Sequence, residues 1–171
     1  DGSVATMVWK SGTTTLVTWT YTYDAAGRMT GVSNSFGEST TYTYDGEGKI
    51  VTQTNGNGTT TSYTYNEARG WPTRIDNKLS GTSFARYDLE YDNGANTVGN
   101  ITEVTELDGT TVDYGYDALY RLTSETRTGT TPFSHTYGYD LAGNVTTLDG
   151  STFATYDAAN KFISLSGGTY S

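Results

Sequence analysis

The chain has 171 residues, of which 19 are acidic and 10 basic, and its formal net charge is −9. This charge argues against nucleic acid or an anionic membrane as a partner, because neutralising phosphates requires a surplus of Lys and Arg on one face. Cysteine is absent, which excludes a disulfide framework and a thiolate site, and no apolar run approaches the roughly 18 residues that a membrane span requires.

The composition indicates β-strands rather than helices. Fifteen Tyr, 21 Gly and only two Pro, together with abundant Thr and Asn, are typical of strands joined by Gly and Asn turns. The first predicted element is a lead-in hairpin within residues 1–19 that turns at Ser11 and Gly12. The strand after this turn is long, since apolar and polar residues alternate from Val17 to Tyr23.

A pattern of about ten residues, YTYDAAGRMT in its first copy, then recurs seven times. Each copy opens with two residues, mostly Tyr, that are separated by one residue. These pairs are Tyr21/Tyr23, Tyr42/Tyr44, Tyr63/Tyr65, Leu89/Tyr91, Tyr114/Tyr116, Tyr137/Tyr139 and Ala154/Tyr156. An acidic or amide residue follows each pair, namely Asp24, Asp45, Asn66, Asp92, Asp117, Asp140 and Asp157.

Each copy continues through a short turn, in which three copies carry the glycines Gly27, Gly48 and Gly143. A polar residue ends the turn, and these residues are Arg28, Lys49, Arg74, Asn100, Arg121, Asn144 and Lys161. An apolar residue closes the copy, and these residues are Met29, Ile50, Ile75, Ile101, Leu122, Val145 and Phe162. The pattern therefore predicts one β-hairpin turn in each copy.

The spacing also predicts which side chains share a face of the sheet. Side chains alternate along a strand, so the two Tyr of a copy lie on one face and the intervening Thr lies on the other. A three-residue loop would pair Asp24 with Arg28, Tyr23 with Met29, and Thr22 with Thr30. The second Tyr and the closing apolar residue are therefore expected on the same face.

Two kinds of departure from the pattern predict local differences. The third and fourth copies have longer loops, at 67–73 and 93–99. Tyr120 occupies a position at which other copies have Gly, and a bulky residue is unfavourable in the left-handed conformation. We therefore predict a different turn at residues 117–121.

The sequence Y-x-Y-D, two residues, Gly, a polar residue and an apolar residue resembles the YD repeat, also called the Rhs repeat. This family includes bacterial polymorphic toxins, the C component of insecticidal toxin complexes and the animal teneurins. The resemblance implies an all-β fold, in which consecutive antiparallel hairpins form one curved sheet, a segment of a hollow shell that in the toxins holds a toxic domain. On this reading residues 20–166 form seven repeats in a continuous sheet, and 167–171 are a truncated tail.

The resemblance implies a structural function. The Asp-Pro signature of the family's self-cleaving segment is absent, because neither Pro72 nor Pro132 follows an Asp. We expect a non-enzymatic wall segment of a longer bacterial protein that is secreted or displayed on the cell surface, with no cofactor. The expected partners are the rest of that polypeptide or its cargo, and a second copy of the chain bound through the sheet edges or the Tyr face.

Carbohydrate binding is the alternative function. Its candidate residues are Trp71, Asp92, Asn93 and Asn96, which lie in or next to the two long loops. The Trp71 indole could stack on a sugar ring, although a lone loop Trp more often folds back over the sheet edge. Residues 92–96 also resemble a calcium loop, but the alternating Asp ligands and the distal Glu are missing.

Catalysis has little support in the sequence. The one histidine, His135, is predicted on the Tyr face, where a hydrogen-bonded structural role is expected rather than that of a general base. The repeated Asp residues begin turns and pair with Arg or Lys, which is a folding role rather than that of a glycosidase carboxylate pair.

The Tyr face needs a cover. A sheet of fourteen strands would be about 65 Å wide, and so large an aromatic surface is unfavourable in water. The sequence leaves four covers open: the sheet curling on itself, a second copy, the remainder of a shell, or a ligand.

Overall fold

The computed structural model describes residues 3–92 and 98–166, and every regular element in these ranges is a β-strand. The strands are β1 (Thr6–Ser11), β2 (Thr14–Tyr23), β3 (Met29–Asn34), β4 (Ser39–Tyr44), β5 (Ile50–Asn55), β6 (Thr59–Tyr65), β7 (Pro72–Leu79), β8 (Thr82–Tyr91), β9 (Ile101–Glu106), β10 (Thr111–Tyr116), β11 (Leu122–Arg127), β12 (Phe133–Tyr139), β13 (Val145–Leu148), β14 (Ser151–Thr152), β15 (Ala154–Tyr156) and β16 (Phe162–Leu165).

Strands β1 to β14 form one open antiparallel sheet in which the strand order is the chain order. This topology confirms the prediction of an all-β fold built from consecutive antiparallel hairpins. The seventh copy differs from the prediction of a continuous sheet to residue 166, because β15 and β16 form a separate two-stranded sheet. The reason is that the segment from Ser151 to Tyr156 changes partner at Phe153: its first part, β14, pairs with β13, and its second part, β15, pairs with β16.

The chain divides into two compact units, residues 1–88 and 89–171. The first contains β1 to β7 and most of β8, and the second contains the end of β8 and the remaining strands. The predicted boundary between residues 19 and 20 lies inside β2, so the lead-in hairpin and the first repeat share a strand. The predicted tail at 167–171 lies outside the described residues.

A β-bulge occurs at the same place in the hairpin of every copy whose register is described. Tyr23 pairs with Met29 as predicted, but Thr22 pairs with Gly31 rather than Thr30. Thr30 is therefore an extra residue, which a simple ladder drawn from alternation does not include. The register shifts in the same way immediately before Tyr44, Tyr65, Tyr116, Tyr139 and Tyr156.

In the third copy, the sequence prediction assigned the wrong residues to the end of the turn. Tyr65 pairs with Pro72, and the backbone N–H of Asn66 donates to the carbonyl of Trp71 at 2.8 Å. In the first copy the equivalent bond joins Asp24 and Arg28. Trp71 and Pro72 therefore hold the polar and closing positions that the prediction gave to the next Arg-Ile pair, and the loop is only one residue longer than in the first copy.

The turn at Tyr120 was also predicted wrongly. Tyr120 adopts the left-handed conformation, with φ 62°, and the turn has the same hydrogen bonds as the other copies. Its N–H donates to the Asp117 carbonyl at 2.9 Å, and the Asp117 carboxylate accepts from the N–H groups of Leu119 and Arg121 at 2.9 and 3.0 Å. These bonds outweigh the cost of roughly 1 kcal/mol of the left-handed Tyr.

Replacing Tyr120 by Gly is expected to stabilise the protein by about 1 kcal/mol, because Gly adopts this conformation without strain. The midpoint of urea unfolding measures the change. Gly143→Ala is the matched control in the next repeat: φ there is 91° and an added Cβ meets nothing within 4 Å, so strain alone should lower stability. An unchanged midpoint in Tyr120→Gly would contradict the assignment of strain.

The sheet has a thin core. The buried hydrophobic side chains among the described residues are Val17, Val112 and Ala154. The accessible surface is 11184 Å², whereas a closed globular chain of this mass exposes about 8200 Å². The repeat tyrosines of β2, for example Tyr21 and Tyr23, are therefore only half-buried.

Candidate functional site

The Asp at the start of each YD turn organises the turn backbone. Asp24 accepts from the N–H groups of Ala26 and Arg28, both at 2.9 Å, and its second oxygen accepts from Arg28 Nε at 2.6 Å. The bond from the Arg28 backbone is the largest effect that lowers the pKa of the Asp24 carboxyl. The same type of turn bond is made by Asp45, Asn66, Asp117, Asp140 and Asp157.

The second Tyr of a repeat joins it to the preceding repeat. The Tyr65 hydroxyl donates to the carbonyl of Ile50 at 2.7 Å, which is the closing apolar residue of the second copy. Equivalent bonds are Tyr44 to Met29 (2.5 Å), Tyr116 to Ile101 (2.8 Å) and Tyr139 to Leu122 (2.7 Å). Each of these carbonyls belongs to a residue at the turn end of its strand, where the bulge interrupts the ladder. Neighbouring hairpins are therefore coupled by side chains as well as by backbone.

The polar residue at the end of a turn also contacts the next repeat. The Arg28 guanidinium lies 4.7 Å from the centre of the Tyr44 ring, and its Nη1 donates to the Asp45 carbonyl at 3.2 Å. Arg121 makes the same two contacts, with the Tyr139 ring at 4.5 Å and the Asp140 carbonyl at 3.2 Å. The sequence pattern predicted the partner within the turn but not these contacts, although an Arg or Lys followed by Tyr-Asp in the next copy is a signal for them.

Trp71 lies within the repeat pattern rather than outside it. It directly precedes β7, and the Arg69 guanidinium lies 5.0 Å from the centre of its ring. The indole is half-buried, so part of it is open for stacking. Sugar binding at Trp71 stays a prediction.

The second predicted sugar-binding loop uses its carboxylate internally. The two oxygens of Asp92 accept from the N–H groups of Val98 and Gly99, each at 3.1 Å. Asn93 and Asn96 lie outside the described residues. Asp92 belongs to the second unit and Trp71 to the first.

His135 has a carboxylate partner. Its Nδ1 lies 2.9 Å from the Asp149 carboxylate, and the Phe133 ring stacks on it at 5.2 Å. The bond to His135 is the largest effect that lowers the pKa of Asp149, followed by the bond from the Thr136 N–H. These contacts agree with the predicted role of His135 as a hydrogen-bonded residue beside an aromatic ring. None of them brings a nucleophile to His135 and Asp149.

Two further features are absent from residues 3–92 and 98–166. No group of three or more His, Cys, Asp or Glu side chains is placed to hold a metal ion. Within the same ranges there is no helix long and apolar enough to cross a membrane.

Two family models match the chain. The teneurin YD-shell model matches residues 3–93, and the RHS repeat model matches residues 96–132. Among curated proteins none matches.

Solved structures share the fold. One is the crystal structure of TcdB2-TccC3 without its hypervariable C-terminal region, whose sequence is 18% identical to this chain and whose TM-score is 0.64. The match covers 88% of this chain and 8% of that one. TcdB2-TccC3-Cdc42 is 19% identical, with a TM-score of 0.63 and the same coverage. The chain thus spans less than a tenth of the length of these two relatives. The YD-shell model, in contrast, matches more than half of the chain, and this protein therefore belongs to the teneurin YD-shell family of YD-repeat proteins.

Proposed function

We propose that this protein is a non-enzymatic structural segment of a larger YD-repeat shell, in a bacterial protein that is secreted or displayed on the cell surface. Its task is to extend the wall that encloses or presents the rest of the polypeptide. The chain supplies repeats that couple to one another, and the rest of the shell supplies the cover that the Tyr face lacks.

The single observation that carries this proposal is the contact between successive repeats. In the wall unit defined by Asp24, Arg28, Tyr44 and Asp45, the polar side chain of one copy holds the Tyr and the turn of the next. Side chains committed to such contacts are satisfied by neighbours and are not arranged around a substrate. Repetition of one interface along the chain is the expected design of a wall.

The edge of the sheet supports the same proposal. Strand β1 is the first strand of the sheet order, so it has one neighbour, and all six of its residues are exposed. Three of them are large and apolar, Met7, Val8 and Trp9. An apolar edge strand with unpaired backbone groups recruits another strand, whereas a self-contained module protects its edges. We therefore also propose that isolated copies associate through β1.

Association of the wild-type chain is expected to rise with concentration and to fall in Val8→Lys, because charged residues on an edge strand oppose pairing. Light scattering coupled to size exclusion measures the mass. Phe84→Lys is the matched control, since it also replaces an exposed apolar residue but on the interior strand β8. A chain that stays monomeric at every concentration would favour the self-contained binding module over the wall.

A further inference from the structure

A groove of about 610 Å³ lies in the first unit, at the strand ends opposite the YD turns. Trp19 of β2 and Val32 of β3 line it, together with Phe36 and Glu38 of the β3–β4 turn and Asn57 of the β5–β6 turn. Trp19 shares a face with the repeat tyrosines, because it alternates with them along β2. The volume is within the range of small-molecule sites, which runs from about 300 to 1,000 Å³.

Hydrogen bonds to neighbouring strands fix the two turns that form the walls. The Ser35 N–H donates to the Thr18 carbonyl at 2.9 Å, and the Ser35 hydroxyl accepts from the Thr18 N–H at 3.2 Å. The Gly56 N–H donates to the Ser39 carbonyl at 2.7 Å. The groove is therefore formed before any ligand arrives, which lowers the entropy cost of binding.

The groove has two aromatic side chains in suitable positions for stacking. Phe36 is 73% exposed, although the turn holds its backbone through a 3.0 Å bond from its N–H to Asn34 Oδ1. Trp19 is half-buried. The turn fixes the point from which the Phe36 side chain leaves the backbone, and an exposed aromatic ring is unfavourable in water unless an apolar surface covers it. The C–H face of a pyranose ring is such a surface.

The polar groups of the groove include a hydrogen-bond acceptor and a hydrogen-bond donor that can each make a further bond to a ligand. Glu38 uses Oε2 to accept from Asn34 Nδ2 at 2.6 Å, and its Oε1 makes no bond to any described residue. Asn57 uses Oδ1 to accept from the N–H and hydroxyl of Thr59 at 3.0 and 2.7 Å, and its amide N–H₂ makes no bond within the same part of the chain. Sugar hydroxyls donate and accept, so they match this combination.

Charge selects against the other small ligands. The lining contains one carboxylate, Glu38, and no Lys, Arg or His. Phosphates and other anions are therefore excluded. An ammonium ion would satisfy Glu38 and the aromatic rings but not the donor of Asn57. We propose that this groove binds a neutral carbohydrate of about disaccharide size, at a site separate from the loop at Trp71.

Titration of the ¹⁵N-labelled full chain with maltose, cellobiose, lactose and diacetylchitobiose tests the proposal. At least one of them should shift the amide signals of Gly37, Glu38 and Gly56, with a Kd in the millimolar range. Phe36→Ala should weaken this binding about tenfold, the loss expected for one stacked aromatic side chain. Glu38→Gln, which can still accept from Asn34, should weaken it several-fold with the fold unchanged.

Two matched variants separate this groove from other sites. Phe84→Ala removes an aromatic side chain of similar exposure outside the groove, and Trp71→Ala removes the other sugar candidate, so both should bind as the wild type does. The proposal is overturned if no disaccharide shifts the groove signals, if Phe36→Ala binds as tightly as Phe84→Ala, or if choline shifts these signals and the sugars do not.

Discussion

Replacing Tyr116 by Ala is expected to lower the free energy of unfolding by about 3 kcal/mol, the low end for a truncated aromatic side chain. The Tyr116 ring pairs with Leu122 across the hairpin, and its hydroxyl donates to the Ile101 carbonyl at 2.8 Å. Burial raises the pKa of this hydroxyl, in agreement with its partial removal from water. The variant removes the contact within one repeat and the bond to the preceding one. Urea unfolding followed by tyrosine fluorescence measures the loss.

Tyr116→Phe separates the two contributions. It keeps the ring and removes only the bond to Ile101, so the expected loss is about 1 kcal/mol. Thr22→Ala is the control on the opposite face, where the side chain is exposed, and it should cost less than about 0.5 kcal/mol. If Thr22→Ala and Tyr116→Ala cost the same, both faces of the sheet would be equally important for packing, and the assignment of the Tyr face would be wrong.

The features that sequence predicted best depend on residues close together in the chain. Strand alternation placed Tyr23 opposite Met29, and turn chemistry paired Asp24 with Arg28. Each of these contacts spans four to six residues, so local spacing is enough to find it. The same spacing could not find the bulge at Thr30, because an extra residue leaves the letters of the pattern unchanged and alters only their pairing.

Contacts between repeats could not be predicted from the sequence, for a different reason. The Tyr44 hydroxyl and the Met29 carbonyl are fifteen residues apart, and they meet only because adjacent hairpins pair in a particular register. The third copy shows how sequence letters mislead in this situation. Arg74 and Ile75 match the expected polar and apolar letters, yet Trp71 and Pro72 hold those positions because the turn closes on the Trp71 carbonyl.

The candidate sugar-binding residues Trp71, Asp92, Asn93 and Asn96 were predicted from the places where the repeat pattern breaks. The groove does not lie at such a break. Phe36 and Asn57 lie in the turns at the opposite strand ends, and these turns carry no YD letters. Sequence reasoning aligned the copies on Tyr and Asp and so gave no weight to those turns. The groove forms because the strand order places these two turns side by side. The strand order was predicted correctly, but the groove between the turns was not predicted.

Acidification is expected to destabilise the protein below about pH 4. Hydrogen bonds hold the pKa of Asp24, Asp117 and Asp140 below its ordinary value near 3.8. At Asp45 burial raises the pKa, and the hydrogen bonds together outweigh it, so this pKa is lowered too. A carboxyl whose pKa is lower in the folded state stabilises the fold above its unfolded pKa, and this contribution disappears as the pH falls through the folded pKa. The melting temperature should therefore stay level above about pH 5 and fall on going to pH 3.

Repulsion between like charges predicts a different dependence of stability on pH. The isoelectric point is about 4.4, so repulsion between like charges is weakest near the pH at which the loss begins. If repulsion dominated, stability would instead peak near pH 4.4 and decline equally on both sides. A series of melting curves between pH 3 and pH 8 decides between the two causes.

Two variants that exchange Asp and Asn at the start of a YD turn test whether the turn carboxylates cause the loss of stability at low pH. Asp117→Asn loses the charged bond with Arg121 and should melt below the wild type at pH 6, but the two curves should converge as Asp117 becomes protonated. Asn66 naturally occupies the same turn position in the third copy, and its Oδ1 accepts from the N–H groups of Ala68 and Arg69. Asn66→Asp should therefore raise the melting temperature at pH 6 and lose that gain at pH 3. A difference between wild type and Asp117→Asn that stays constant with pH would remove the turn carboxylates as the cause.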